Sequence, residues 1–280
     1  MDYKSKVYTS IDGIKLSGYL WQSSENPKAV INLVHGFGEY GERYNQWALQ
    51  FAEKSYAVHA IDYRGHGKSD GRRGYVDEYN DFLNDIDTLI QESRKLFPNA
   101  KQLIYGHSLG GNIVANYILK RQSNLDAAII SSPWYKLAFK LSPVKMFLLG
   151  VMNRLYPKFT QKSNLELESL SSDEKIVDTY INDPLVHGKI SARMFSEVYK
   201  AGLWVLENTD KISIPILIQH GDSDRITSIQ ASNEFFNKAI EKDKNIEYKV
   251  WKGMYHELHN EINKDQVFEF ITHWIAKTIK

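Results

Sequence analysis

Residues 101–116, KQLIYGHSLGGNIVAN, constrain the fold of this chain more than any other stretch. Leu103, Ile104 and Tyr105 form an apolar run of strand length that stops at Gly106, and Ile113, Val114, Tyr117 and Ile118 then recur at helical spacing. Between these elements stands Gly106-His107-Ser108-Leu109-Gly110, a G-x-S-x-G pattern in the strand–turn–helix setting the pattern needs. A serine on so sharp a turn sits in strained backbone. A Cβ two residues before or after it would meet the neighbouring strand or helix, so glycine is needed at both positions. Ser108 then lies at a helix N-terminus, where free N–H groups and the positive dipole end favour a developing negative charge. A glycine-rich turn that happens to contain serine would not need the strand before it or the Gly110-Gly111 helix start after it. Ser108 is the candidate nucleophile.

The flanking pattern supplies a sheet to hold this turn. Residues 7–9 and 16–21 read as two strands around the turn Asp12-Gly13. Residues 29–34, AVINLV, form a near-continuous apolar run, as expected of a strand buried on both faces, and lead straight into His35-Gly36-Phe37-Gly38-Glu39. A helical pattern over 43–54, a strand over 56–61 and a glycine-rich loop over 62–69 follow. Phe82, Ile86, Leu89, Ile90 and Phe97 then mark a long amphipathic helix, and 127–130 another strand. This alternation predicts an α/β fold, a mostly parallel central sheet with helices on both faces. It breaks after Pro133. Residues 134–208 carry apolar helical patterns and polar loops without a convincing buried strand, and alternation resumes with strands at 214–218 and 246–251 and helices at 230–240 and 266–279. The expected organisation is a core of 1–132 and 209–280, interrupted by a helical insertion at 133–208 that reads as a cap over the strands' C-terminal ends.

Composition narrows the chemistry. Acids and bases are interspersed across 280 residues to a net charge of +1, which gives no nucleic-acid footprint. The absence of cysteine excludes disulfides, thiolate metal sites and cysteine nucleophiles. No His/Asp/Glu cluster has metal-ligand spacing, so neither a metal nor another cofactor is expected. MDYKSKVYTS carries no apolar core of a secretory signal, and the longest apolar stretch, 144–152, is too short to span a bilayer and contains Lys145. A cytoplasmic protein is expected.

A serine hydroxyl needs a base to take its proton, and the base needs a carboxylate to hold its tautomer. In this architecture the order is serine, then acid, then histidine. His220-Gly221-Asp222-Ser223-Asp224 follows one late strand and Tyr255-His256-Glu257-Leu258-His259 follows another. Spacing alone leaves Asp222 and Asp224 open as the acid, and His256 and His259 open as the base. His35 is expected to prop the loop after its strand, and His59 to be a packed histidine.

These motifs together resemble the monoglyceride lipase and lysophospholipase branch of the α/β-hydrolases, also labelled serine aminopeptidase S33-like. The resembling segments are His35-Gly36-Phe37-Gly38-Glu39 with Arg43-Tyr44, Gly65-His66-Gly67-Lys68-Ser69 with Gly71, the elbow 106–111, Tyr180-Ile181-Asn182-Asp183-Pro184-Leu185, and 255–261. The match fades over 134–175 and 187–200, the segments that would shape an acyl channel. The resemblance implies a triad of Ser108, Asp224 and His256, with the backbone N–H groups of Phe37 and Leu109 as the oxyanion hole. It implies Glu39, Arg43, Tyr180 and His259 around a glycerol end of the site, against a plainer reading in which Arg43 simply holds Glu39 in its loop. The expected activity is carboxylester hydrolysis of a lipid-like acyl ester, monoacylglycerols first. Lysophospholipids and short soluble esters are the alternatives, with an S33-type aminopeptidase less favoured. A non-catalytic binding protein of this fold would be expected to lack a triad member, and none is missing. The apolar stretch 141–159 could dock transiently on a membrane surface or line an acyl tunnel. Oligomeric state is left open.

Overall fold

The apolar runs of strand length form the middle of an eight-stranded sheet. The computed structural model describes residues 2–121, 124–163 and 165–279. In chain order the elements are β1 (Asp2–Thr9), β2 (Lys15–Gln22), β3 (Ala29–Val34), α1 (Asn45–Glu53), β4 (Ala57–Ile61), α2 (Tyr79–Leu96), β5 (Lys101–His107), α3 (Leu109–Lys120) and β6 (Ala127–Ser131). There follow α4 (Pro143–Leu155), β7 (Thr160–Lys162), α5 (Glu174–Asn182), β8 (Lys189–Ser191), α6 (Ala192–Glu207), β9 (Ile216–Gly221), α7 (Ile229–Ile240), β10 (Ile246–Trp251) and α8 (Lys264–Thr278).

The sheet order is β1-β2-β4-β3-β5-β6-β9-β10. The β1–β2 and β2–β4 pairs are antiparallel, and every pair from β4 across to β10 is parallel. Residues of β3, β4, β6 and β9 are buried throughout, which is why they read as largely apolar runs broken by a few polar residues such as Asn32 and His59. Alternate side chains feed two layers. Ile104 of β5 packs on the face covered by Phe82 and Ile86 of α2, Ile113 of α3 and Phe235 of α7. Leu103 and Tyr105 turn to the other face, with Trp47 and Phe51 of α1 and Phe268 and Ile271 of α8.

Two differences from the sequence reading have a physical cause. β1 starts at Asp2 rather than at residue 7, and only its Tyr8 is buried. An edge strand held by its backbone ladder to β2, from Asp2↔Gln22 to Thr9↔Lys15, leaves no side-chain alternation to detect. The segment 134–208 also contains strands, β7 and β8, paired antiparallel as a separate ribbon. Three residues each are too few to show a period. In the same segment α6 buries Met194, Val198 and Val205 in the layer that holds α3. The Asn112 and Asn116 amides on α3 donate to its Val198 and Ala201 carbonyls at 3.3 Å each. α4 buries none of its residues.

Chain order reverses across β3: β4 lies on one side of it and β5 on the other. Such a switch point opens a crevice at the strands' C-terminal ends. The loop 35–41 leaves β3 there, and Ser108 leaves β5 beside it.

Candidate active site

Ser108 has φ 54° and ψ −116°, outside the regions an L-residue favours. The surroundings determine this conformation. Its N–H donates to the Ser131 carbonyl at 3.0 Å, and its own carbonyl accepts from Asn112 N at 3.0 Å and Trp134 N at 2.9 Å. A Cβ on Gly106 would stand 2.4 Å from the Gly110 carbonyl oxygen, and one on Gly110 would stand 2.1 Å from that of Val34. The glycines on either side of the serine are therefore steric requirements of the strand–helix contact. A Cβ on Gly36 would lie 3.3 Å from the Ser108 Cβ, so the loop after β3 presses directly on the serine. Among the described residues no acceptor meets the backbone N–H of Phe37 or of Leu109. Leu109 is the first residue of α3, where helical N–H groups have no partner in the helix.

The loops after β9 and β10 bring an acid and a base together. His256 Nδ1 lies 2.7 Å from Asp224 Oδ2. The same oxygen accepts from the Thr227 hydroxyl at 2.8 Å and faces His220 Nε2 at 3.0 Å, while Oδ1 accepts from Ile226 N at 2.7 Å and Thr227 N at 3.0 Å. Burial opposes charge on Asp224, but His256 and the hydrogen bonds outweigh it and hold the carboxyl well below the usual carboxylate range. Burial likewise disfavours a charged His256, and the facing Asp224 carboxylate outweighs it, raising the imidazole above its ordinary 6.5. Asp222 instead accepts from Gly253 N at 2.6 Å and shapes that turn. His259 is buried elsewhere, stacked on Tyr44 at 4.4 Å between ring centroids, and burial lowers it to about 3.

Beside the serine lies a network of which the sequence reading anticipated the Glu39–Arg43 pair but not its extension to Glu257. Glu39 accepts from Gly36 N at 2.5 Å and from the Tyr44 hydroxyl at 2.8 Å, and pairs with Arg43. Arg43 in turn grips Glu257 with both terminal nitrogens, at 3.0 and 3.1 Å, and its guanidinium lies 4.6 Å from the Tyr180 ring centre. Burial is the largest influence on both carboxyls. The two-point contact with Arg43 overcomes it for Glu257, which is lowered, whereas Glu39, buried near a second carboxylate, is raised. Glu257 adjoins His256 in the sequence, but its partner is 214 positions away, so nothing local announces the pairing. Thr227 and His220, the further partners of Asp224, were equally unmarked.

Ser108, His256, Phe37, Glu39 and Tyr180 line one cavity, about 650 Å³ with its open mouth included. Its other walls are largely apolar, among them Trp134, Leu165, Phe195 and Ile226. Arg43 and His259 are not on that wall. Arg43 stands behind Glu39, and His259 behind His107, 5.0 Å from its ring centre. Of the four residues expected at a glycerol end, the cavity therefore receives Glu39 and Tyr180.

The chain is similar to known proteins along nearly its whole length. The family described as serine aminopeptidase, S33, matches residues 25–263. A monoacylglycerol lipase of Mycolicibacterium smegmatis is 29% identical over 270 residues, 96% of this chain and 95% of that protein. An uncharacterized abhydrolase domain-containing protein of Dictyostelium discoideum is 34% identical over 99% of this chain, which spans 29% of that protein's length. The crystal structure of Paleococcus ferrophilus monoacylglycerol lipase superposes with a TM-score of 0.84 at 27% identity, covering 98% of this chain and 99% of that one. With the elbow, the sheet order and the match over most of its length in agreement, this chain belongs to the serine aminopeptidase S33 family, as a monoglyceride lipase-like α/β-hydrolase enzyme.

Proposed function

We propose that this enzyme hydrolyses monoacylglycerols to fatty acid and glycerol through an acyl-enzyme on Ser108. The observation that carries the reading is the occupied Nδ1 of His256: with Asp224 at 2.7 Å on that nitrogen, Nε2 is left to take the serine proton. Ser108 Oγ attacks the ester carbonyl as His256 accepts its proton. The N–H groups of Phe37 and Leu109 receive the developing oxyanion. His256 then protonates the leaving glycerol oxygen, the tetrahedral intermediate collapses, and the acyl group remains on Ser108. Water, deprotonated by His256, releases the acid in a second addition and collapse. The relatives named above support a lipid ester, and the mixed wall, apolar with Glu39 and Tyr180 as polar groups, suits an acyl chain with a small hydroxylated head.

Despite the family's name, a peptidase reading lacks a free acidic recess. All four carboxylate oxygens of Glu39 and Glu257 are engaged, by Arg43, Gly36 N, Tyr44 and Asn260, leaving none for a substrate ammonium. A general short-chain carboxylesterase is the second reading. It is favoured by the positions of Arg43 and His259 behind the cavity wall, where they brace loops.

We take residues 133–208 as the cap, with α4 as its lipid-facing part. Val144 is 68% and Phe147 71% exposed on a helix that buries nothing, which suits transient contact with a membrane surface. Among the described residues no helix is long and apolar enough to cross a membrane.

The test is a kcat/KM panel of mono-oleoyl glycerol, a lysophosphatidylcholine and p-nitrophenyl esters of increasing chain length, with Ser108→Ala as the inactive control. Preference for the glycerol ester, weakened by Glu39→Gln, is expected. Preference for short esters, indifferent to that change, supports the second reading, and fluorophosphonate labelling that survives Ser108→Ala sinks both.

A further inference from the structure

Residues 180–191, running from the end of α5 through β8, strap down the glycine-rich loops that follow β3 and β4. The Tyr40 hydroxyl donates to Asp183 Oδ2 at 2.6 Å. His187 N–H donates to the Gly38 carbonyl at 2.8 Å, and Ser191 N–H to that of Gly74 at 2.8 Å. The backbones meet so closely that a Cβ on Gly38 would stand 2.2 Å from the His187 carbonyl oxygen, and one on Gly74 would stand 2.0 Å from that of Lys189. Both glycines have positive φ, 75° and 72°.

The side chain of His187 completes the contact. Its Nε2 lies 3.0 Å from the Gly65 carbonyl, so that nitrogen carries the proton and donates. Burial lowers the imidazole to about 4, which keeps it neutral near pH 7. Its ring meets Phe37 edge-on, centroids 5.8 Å apart, and lies 4.9 Å from the ring of His66. Trp134 holds the Phe37 ring at 6.1 Å and His66 at 6.2 Å. Phe37 belongs to no helix or strand, so its orientation depends on these contacts.

We propose that His187 is a positioning residue for the oxyanion hole: its main-chain bond to Gly38 and its ring against Phe37 and Gly65 aim the Phe37 N–H at the ester oxygen. The inference rests on the proposed ester hydrolysis at Ser108. It makes the strap part of the catalytic framework, whereas α4, which buries nothing, is outside it.

The experiment measures kcat and KM on dissolved p-nitrophenyl butyrate, where no lipid surface takes part. Removing an oxyanion donor outright costs about 10²–10³ in kcat, so misaiming one through His187→Ala should cost roughly 30-fold with KM within about twofold. His187→Gln keeps an N–H that reaches the Gly65 carbonyl and should recover activity to within about fivefold of wild type. Affinity for a phenylboronic acid, which forms a tetrahedral adduct on the serine, should fall in parallel with kcat. Tyr40→Phe removes only the bond to Asp183 and should lower kcat by about threefold at unchanged KM. A His187→Ala enzyme with kcat within twofold of wild type overturns the proposal, as does a loss that appears in KM. If that variant does not fold, an unchanged kcat in Tyr40→Phe overturns it instead. Wild-type protein that a fluorophosphonate fails to label at Ser108 sinks the ester-hydrolysis reading itself. Normal labelling of both wild type and His187→Ala, at equal rates, sinks only the role of His187.

Discussion

His256 Nδ1 stands 2.7 Å from Asp224 Oδ2, on a carboxylate that also faces the Thr227 hydroxyl, His220 and two backbone N–H groups. Asp224→Asn would place an amide N–H or a weaker acceptor opposite His256 and disturb its tautomer. Turnover is expected to fall by about 10³–10⁴. Asp222→Asn, which alters only the turn at Gly253, should stay within roughly fivefold of wild type. Steady-state kinetics of the two variants decides, and the reverse ranking would remove Asp224 from the triad.

The same pair sets the acid limb of activity. Only neutral His256 can accept the serine proton, and its value is raised above 6.5, so kcat/KM should fall with a midpoint above pH 6.5. His107, held well below its ordinary value, and His259, held at about 3, are neutral throughout and should not contribute. The stability linkage has the opposite sense for the two partners. His256 adds stability that is full below pH 6.5 and lost as pH rises through its raised folded value. Asp224 adds stability present above pH 3.8 and lost as pH falls through its depressed one. An acid-limb midpoint at or below 6.5 would contradict the pairing.

Gly110→Ala should be severe although it adds one methyl group. The new Cβ would lie 2.1 Å from the Val34 carbonyl oxygen and 2.4 Å from that of His35, both backbone atoms at the root of the Phe37 loop. Overpacking of this kind costs about 1–3 kcal/mol, and here it also moves an oxyanion donor. Loss of most activity with a denaturation midpoint shifted to match is expected. Gly150→Ala, where the added Cβ meets nothing within 4 Å, is the control.

Glu39 and Glu257 share Arg43 unequally, and their substitutions should differ in cost. Glu257 makes the two-point contact and is lowered, so Glu257→Gln breaks a buried ion pair and should cost about 2–4 kcal/mol at pH 7. Glu39 is raised by burial beside that second carboxylate, and its Gln variant still accepts from Gly36 N. About 1 kcal/mol is expected for Glu39→Gln. Urea denaturation of both variants checks the order, and equal costs would show the guanidinium is shared evenly.

Much of this protein was legible in its sequence because the determining forces were local. The strand, the glycines flanking Ser108 and the helix start lie within sixteen residues, and the steric conflict that demands glycine recurs wherever those elements meet. Burial on both faces left β3, β4, β6 and β9 as largely apolar runs. Motif order placed an acid and a base after the two late strands, although spacing by itself left two candidates for each. What only the tertiary structure decided were meetings between distant parts of the chain. The resemblance already named Asp224 over Asp222, and the turns after β9 and β10 converge so that Asp224 faces His256 while Asp222 turns to Gly253. Arg43 bridges to Glu257 and His187 rests on Phe37 through contacts with no periodicity or spacing to announce them. His259, a site candidate by motif, stacks behind His107 because Tyr44 and Trp47 form a cage for it there. Backbone preference and burial pattern act over a few residues and leave their mark in the chain; side-chain pairing across a sheet depends on where folding brings two segments together.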